Sequence, residues 1–149
     1  MINWSHKKYE DLSRDELYKI LRLRQEVFII EQKCNYLDAD NHDIISTHLI
    51  AYQDDKIIAY MRVVPAGTIY SNISFGRILV KKEYRNLGLG KELLKRGLDL
   101  FSPDTILVMS AQVYLVKFYE YFGFNIIGEE YLEDEILHIK MIRNGKNSS

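Results

Sequence analysis

The chain has 149 residues, with 20 lysines and arginines, 21 aspartates and glutamates, and a formal net charge of −1 at neutral pH. That length fits one domain over residues 1–149, and the balanced charge argues against a broad basic surface that binds nucleic acid. The single cysteine, Cys34, excludes an internal disulfide and suits the cytoplasm, and no apolar run is long enough to span a membrane.

The first part of the chain predicts a strand, a helix and a β-hairpin. A short strand is expected around Ile2–Trp4. Ser13 with Glu16 three residues later is typical of a capping box, and the helix that begins there is predicted to run to about Ile30. Two strands flank a tight Asp54-Asp55 turn, at Ser46–Gln53 and Lys56–Val64.

A polar loop, residues 31–43, lies between this helix and the hairpin. Asp38, Asp40 and Asp43 are close together, but the glycine and the terminal glutamate of an EF-hand are missing. We therefore predict a solvated acidic loop and no calcium site. Its negative charge would attract a cationic ligand.

The second part of the chain predicts further strands and two helices, so that the whole is a mixed α+β fold. Apolar residues at positions 89, 93, 94, 98 and 101 have helical spacing. We expect a mainly antiparallel central sheet with helices on both faces. The other predicted elements are strands at Phe75–Val80, Thr105–Ser110, Phe124–Glu129 and Ile136–Ile142, a helix at Val113–Phe122, a turn at Tyr131–Glu135 and a frayed polar tail at Asn144–Ser149.

A glycine-containing turn, Arg85–Gly90, joins the predicted strand Phe75–Val80 to the helix that follows it. Gly88 and Gly90 allow close approach to the backbone, and the helix N-terminus presents unpaired N–H groups that suit a phosphate. The alternative is an ordinary glycine turn with a solvated basic rim. The spacing matches neither the dinucleotide-binding GxGxxG pattern nor a P-loop.

This strand, turn and helix resemble motif A of the GNAT acyltransferases, whose loop holds the pyrophosphate of acetyl-CoA. The resemblance implies a GNAT fold, acetyl-CoA as co-substrate, and a strand backbone that pairs with the pantetheine arm. It implies no metal, and the four histidines show no metal-ligand spacing. The implied cofactor-binding residues are Ile78, Leu79, Val80, Arg85, Asn86, Leu87, Gly88, Leu89, Gly90 and Lys91.

A second segment, Phe118–Phe124, resembles the GNAT helix whose tyrosine lies near the thioester sulfur. Tyr119 holds that position, which would make it the general acid that protonates the departing thiolate. The alternative is that Tyr119 is a core aromatic of an apolar helix.

A narrower resemblance is to the ElaA-type branch of the GNAT proteins. Asn35 and Asn41 depart from that branch, which commonly has proline and glycine there, so the loop's turn geometry differs. The segments that carry the resemblance are Leu21–Phe28, Glu31-Gln32-x-Cys34-x-Tyr36, Thr47-His48-Leu49, Gly76-Arg77 and His138-Ile139-x-Met141.

Two residues are candidates for the general base that takes a proton from the attacking amine. Glu31 follows the first helix, on the acceptor side in the family layout, and His48 lies on a predicted strand. Alternatively, Glu31 binds loop backbone, and His48 and His138 are packing histidines. Cys34 would allow an acyl-cysteine route, but nothing in the sequence indicates an activated thiol.

These resemblances predict an N-acetyltransferase that moves an acetyl group from acetyl-CoA to a primary amine by direct attack. The acceptor, a small molecule or a peptide, is not identified by the sequence, and a homodimer is left open. We expect no nucleic-acid or membrane partner. The main alternative is a non-catalytic acyl-CoA-binding sensor or scaffold module. A kinase-like nucleotide-phosphate site is disfavoured, because no magnesium-ligand pattern accompanies the turn.

Overall fold

A computed structural model describes residues 1–145; residues 146–149, most of the predicted tail, lie outside the described residues. Within residues 1–145 the chain forms three α-helices and seven strands. The helices are α1 (Arg14–Arg24), α2 (Leu89–Leu98) and α3 (Val116–Glu120), and the strands are β1 (Ile2–Lys8), β2 (Thr47–Gln53), β3 (Lys56–Val64), β4 (Ile73–Val80), β5 (Leu107–Gln112), β6 (Asn125–Glu133) and β7 (Ile136–Arg143).

The seven strands form one sheet in the order β1-β2-β3-β4-β5-β7-β6. Every neighbouring pair is antiparallel except β4 and β5, which run parallel. The register of β4 with β5 consists of two pairs, Ile73 with Leu107 and Ser74 with Val108, whereas β4 stays paired with β3 as far as Val80. The sheet therefore opens between the carboxyl halves of β4 and β5.

Apolar side chains cover both faces of the sheet, as the predicted fold class requires. On one face, α1 and the turns after it pack Ile20, Leu23 and Val27 against Ile50 and Tyr60 of the sheet. The other face is covered by α2 and α3. Its core contains Leu89, Leu93, Leu94 and Tyr119 from these helices and Leu49, Met61, Phe75 and Met109 from the strands.

The predicted capping box is present at the start of α1. The Ser13 hydroxyl accepts the Glu16 N–H at 3.0 Å, and the Glu16 carboxylate accepts the Ser13 N–H at 3.0 Å. After α1, residues Gln25–Glu31 continue as a π-helix, so the helical path ends one residue beyond the predicted Ile30. The wider turns change which side chains face the sheet at this end of the helix.

The acidic loop is not solvated as predicted, because three arginines from other elements enter it. Asp38 and Asp43 are 7% and 8% exposed. Arg24, fully buried, bonds to Asp38 at 2.7 Å and to Asp43 at 2.6 Å. Arg62 bonds to Asp43 as well, and Arg62 and Arg77 both reach Asp40. The three aspartates of the loop, two of them buried, form an ion network with these arginines that fixes the segment between α1 and β2 to the sheet.

Other boundaries differ from the sequence prediction at the C-terminal hairpin. Strand β6 extends to Glu133, so the turn is limited to Asp134 and Glu135, both at positive φ. A register shift between Ile127 and Tyr131 bends β6 where Gly128 has a φ of +85°.

No helix among residues 1–145 is long and apolar enough to cross a membrane.

Candidate active site

A cavity of about 900 Å³ occupies the opening between β4 and β5. One wall is β4 with the turn that begins α2, and the opposite wall is β5 with α3 and the β6–β7 hairpin. The end of the π-helix and the buried acidic loop contribute Glu31, Cys34 and Asp40 to its side. One cavity therefore joins the glycine turn, Tyr119 and the β6–β7 hairpin.

The glycine turn has the backbone geometry of an anion site. Gly88 is the N-cap of α2 at a φ of +81°, and Asn86 precedes it at a φ of +66°. Glu92 donates the first hydrogen bond within the helix, to the Gly88 carbonyl, so the N–H groups of residues 89–91 have no partner inside it. A Cβ at Gly88 would meet no protein atom within 4 Å, which leaves the space beside these amides open.

The predicted cofactor residues line the cavity with one exception. Leu87 is 68% exposed and lies off the cavity wall, so its side chain faces solvent. On the wall are Ile78, Leu79, Val80, Arg85, Asn86, Gly88, Leu89, Gly90 and Lys91.

Glu31, predicted as a candidate base, is tied to the cofactor turn. Its carboxylate pairs with the Arg85 guanidinium at 2.6 Å and 3.0 Å, and Arg85 also donates from Nε to the Val80 carbonyl at 3.0 Å. Glu31 lines the cavity, but its two oxygens already accept hydrogen bonds from an arginine. This arrangement fixes Arg85 beside the turn.

Tyr119 lies in α3 and is 5% exposed, with its ring against Phe118 and Phe124. Burial raises the pKa of its hydroxyl well above the ordinary value, and nearby Tyr114 raises it further. The group is therefore a neutral O–H at physiological pH. Among the described residues its hydroxyl has no hydrogen-bond partner, and Tyr119 lines the cavity, so the O–H can be donated to a ligand.

The structure does not bring His48 to the cavity. It is fully buried, with Nε2 2.9 Å from the Asp43 carbonyl and Nδ1 2.5 Å from the Tyr60 hydroxyl. Because a carbonyl only accepts, Nε2 carries the proton and Nδ1 accepts from Tyr60. Burial lowers the pKa of this imidazole. Both ring nitrogens are therefore hydrogen-bonded within the protein, and His48 links the acidic loop at Asp43 to Tyr60 of β3.

Cys34 lies on the cavity wall but is 5% exposed, and its thiol donates to the Asp134 carbonyl at 3.1 Å. Burial raises its pKa, and Asp134 and Glu135 raise it further. A protonated thiol is a poor nucleophile, so this environment favours a structural contact over an acyl-cysteine.

Sequence reasoning missed the polar group at the hairpin end of the cavity. Ser110, Glu133 and His138 line this end together with Tyr70. From the sequence, His138 is part of a resembling segment or a packing histidine, and Glu133 is predicted to lie in a turn. No spacing rule pairs them, because their contact depends on how β6 and β7 pair. Within residues 1–145, no cluster of three or more His, Cys, Asp or Glu is arranged to hold a metal ion.

The fold and the motif A turn together point to one family. A family model described as the acetyltransferase (GNAT) domain matches residues 9–144. The chain belongs to the GNAT acetyltransferase family. Its GNAT relatives include a UPF0039 protein of Synechocystis, 40% identical over 146 residues, which cover 95% of this chain and 94% of that protein.

Two solved GNAT-fold structures resemble this chain over nearly its whole length. The crystal structure of Escherichia coli ElaA has a TM-score of 0.90 and 33% identity, covering 97% of this chain and 100% of ElaA. An acyl-CoA N-acyltransferase from Pseudomonas aeruginosa has a TM-score of 0.89 and 38% identity, covering 95% and 99%. The predicted family, its ElaA-type branch and the fold class are thereby confirmed.

A more distant GNAT acetyltransferase, from Elizabethkingia anophelis, shares the fold. Its structure, which has acetyl-CoA bound, has a TM-score of 0.60 and 15% identity, covering 96% of this chain and 97% of that chain.

Proposed function

We propose that this GNAT protein is an N-acetyltransferase that moves an acetyl group from acetyl-CoA to a primary amine by direct attack. The observation that carries the proposal is the hydroxyl of the buried residue Tyr119, which has no protein partner among the described residues and lies on the same cavity as the glycine turn. A binding module would need the turn alone. A proton donor placed in the same cavity suits a reaction in which a leaving group must be protonated.

The turn fits the pyrophosphate of acetyl-CoA. The amides of residues 89–91 are free of helical partners, the space at Gly88 is open, and the helix dipole adds positive potential. Arg85 and Lys91 supply charge beside these amides. The distant Elizabethkingia anophelis protein, which binds acetyl-CoA on this fold, supports the same ligand.

The free edge of β4 fits the pantetheine arm. Beyond Ser74, β4 pairs with β3 alone among the described strands, so the backbone edge of Ile78–Val80 that faces the cavity can pair with an extended amide chain. A main-chain N–H of this strand would polarise the thioester carbonyl. The amine nitrogen then attacks the carbonyl carbon, and Tyr119 gives its proton to the thiolate as the C–S bond breaks.

The proposal is tested in two steps. Calorimetry first measures whether the protein binds acetyl-CoA, and a thiol-release assay then measures CoA production with a panel of amines, amino acids and peptides. We expect binding together with amine-dependent release of free thiol. Binding without release on the whole panel would favour the non-catalytic sensor module, and absence of binding would contradict the cofactor assignment.

A further inference from the structure

We propose that His138 takes the proton from the acceptor amine and that Glu133 holds that amine beside it. This inference rests on the N-acetyltransferase function proposed above and names the residues and the acceptor class of the same site. Both side chains line the cavity at the β6–β7 hairpin, across the opening from β4.

The backbone fixes the tautomer of His138. Its Nδ1 lies 2.8 Å from the Ile136 carbonyl, which can only accept, so Nδ1 carries the proton. In the neutral ring, Nε2 therefore presents a lone pair. The ring is held in place by stacking on Tyr131 at 6.2 Å between centroids, and the residue is 8% exposed. A fixed lone pair on a cavity wall is what a general base requires.

Glu133 stands next to that lone pair. Its Oε2 lies 3.3 Å from His138 Nε2, and the Glu133 side chain is 50% exposed. With a neutral ring these two atoms are both acceptors, so they make no hydrogen bond to each other, and an N–H donor in front of both would satisfy them. A primary amine has such donors, and it could bond to both at once. Once the proton has moved to Nε2, the imidazolium can bond to Glu133 directly.

A hydroxyl network holds this pair in position. Ser110 donates to Glu133 at 3.4 Å and is hydrogen-bonded to Tyr131. Tyr70, from the β3–β4 loop, bonds to Ser110 and Tyr131, and burial, with Tyr131 and Glu133, raises its pKa to about 12. The Tyr70 hydroxyl is therefore neutral at physiological pH, and the network orients Glu133 without adding a positive charge beside it.

The charges around His138 favour a cationic acceptor. From β6 it faces Glu133 and Tyr131, and from β5 it pairs with the neutral Gln112. On its own strand Lys140 is turned onto the Tyr70 ring, 4.8 Å from the centroid. Asp134 adds a further carboxylate to this end of the cavity. Two carboxylates attract an ammonium group and repel an acceptor with a carboxylate beside its amine.

The other two base candidates are occupied. Glu31 accepts two hydrogen bonds from Arg85 at the cofactor end of the cavity, and His48 is buried outside it with both nitrogens bonded. Of the three, His138 alone combines a place on the cavity wall with a ring nitrogen, Nε2, whose one neighbour is the half-exposed Glu133 carboxylate, itself an acceptor.

The ammonium releases one proton to solvent, and the resulting amine nitrogen attacks the carbonyl carbon of the thioester. As the C–N bond forms, the amine passes a second proton to His138 Nε2. As the C–S bond breaks, the thiolate takes the proton of Tyr119. His138 then loses its proton and Tyr119 regains one through solvent, leaving an amide and free CoA.

The test compares His138→Gln and Glu133→Gln with His6→Gln, a matched change on the exposed face of β1 at the opposite edge of the sheet. With the best amine of the panel, we expect His138→Gln to lower kcat/KM about 10²-fold, the low end of general-base catalysis. The loss should shrink at high pH, where hydroxide can take the second proton of the amine in place of His138. Acetyl-CoA affinity should be unchanged, and His6→Gln should match wild type.

The acceptor class is tested with matched pairs, 1,4-diaminobutane against 4-aminobutanoate and glycinamide against glycine. Wild type should prefer the first of each pair, and Glu133→Gln should reduce the preference, mainly through KM. Glu133 is half exposed, so this variant is expected to fold even if His138→Gln does not.

The outcomes separate the two proposals. If wild type binds acetyl-CoA but acetylates no amine, the proposed function fails, and this inference fails with it. If wild type turns over and folded His138→Gln keeps its rate and pH profile, only the assignment of His138 is overturned. If Glu133→Gln leaves the preference within each pair unchanged, the assignment of Glu133 is overturned.

Discussion

Glu31 and Arg85 form a two-point ion pair, with Nη1 of Arg85 2.6 Å from one carboxylate oxygen and Nη2 3.0 Å from the other. Arg85 also bonds to the Val80 carbonyl, so one guanidinium joins the end of the π-helix, the end of β4 and the glycine turn. This contact gives Glu31 a positioning role for the cofactor turn.

We therefore expect Glu31→Gln to act on cofactor binding. A partly exposed ion pair contributes about 0.2–1 kcal/mol, so the Kd for acetyl-CoA should rise by roughly up to fivefold while kcat changes little. Calorimetry and steady-state kinetics measure the two effects separately. A fall in kcat near 10²-fold with unchanged Kd, at the scale of lost base catalysis, would instead make Glu31 the base.

Gly88→Val should weaken acetyl-CoA binding by roughly tenfold or more, about 1.4 kcal/mol, because the side chain would occupy the open space beside the free amides. A β-branched residue at a φ of +81° is also strained, which lowers stability independently of any ligand.

Gly128→Val is the matched control for that strain. Gly128 has a φ of +85° and equally open surroundings, but it lies on the edge strand β6, away from the cavity. The two variants should lose similar stability in thermal melts, and only Gly88→Val should lose affinity. Equal acetyl-CoA affinities in both folded variants would contradict the assignment of the pyrophosphate to this turn.

Tyr119→Phe deletes the hydroxyl and keeps the ring that packs on Phe118 and Phe124. If Tyr119 protonates the thiolate, kcat and kcat/KM should fall together by roughly 10²-fold, with little change in acetyl-CoA affinity. Pre-steady-state kinetics should establish that chemistry limits the rate. Near-normal kcat under that condition would make Tyr119 a packing residue and assign the acid to water or another group.

Asp43 is expected to make folding sensitive to acid. Burial opposes its ionisation, but bonds and charge from Arg24 and then Arg62 outweigh burial, so its pKa is lowered in the folded protein. Its stabilising contribution is therefore complete above the unfolded value of about 3.9 and is lost as pH falls through the lower folded value. Melting temperatures of wild type should fall below about pH 4, and those of Asp43→Asn should fall less.

At neutral pH, Asp43→Ala should cost about 3–5 kcal/mol in the free energy of unfolding, because it leaves two buried arginines short of a partner. Asp11→Ala, at an exposed position, should stay within about 0.5 kcal/mol of wild type. Urea unfolding measures both. A cost for Asp43→Ala as small as that of Asp11→Ala would show that the ion network contributes no net stability.

Local patterns predicted the elements that local interactions determine. Ser13 and Glu16 are three residues apart and cap the same helix, and the Asp54-Asp55 turn joins strands adjacent in sequence, so both could be recognised from the chain alone. The position of Gly88 before an apolar helix likewise predicted the turn that begins α2.

Long-range contacts explain what the sequence did not predict. Arg24 lies 19 residues before Asp43 and Arg62 lies 19 residues after it, and both bond to Asp43 in the fold. An aspartate that looks solvated in the sequence is therefore ion-paired in the structure. Glu133 meets His138 through strand pairing, and Cys34 meets Asp134 across 100 residues. None of these partners leaves a periodic or spaced signal, because their proximity is created by the assembled sheet.

Two residue pairs, Ile73 with Leu107 and Ser74 with Val108, are all that pairs β4 with β5 within the described sheet, and one apolar core under α2 and α3 packs against both halves. An extended ligand that lies along the free edge of β4 and reaches Tyr119 would contact both the β1–β4 part and the β5–β7 part of the sheet region at once. Its binding energy would then count toward folding, about 2.7 kcal/mol at a concentration of 100 times Kd. Under the proposed function that ligand is acetyl-CoA, so the abundance of this protein in a cell would follow the supply of acetyl-CoA.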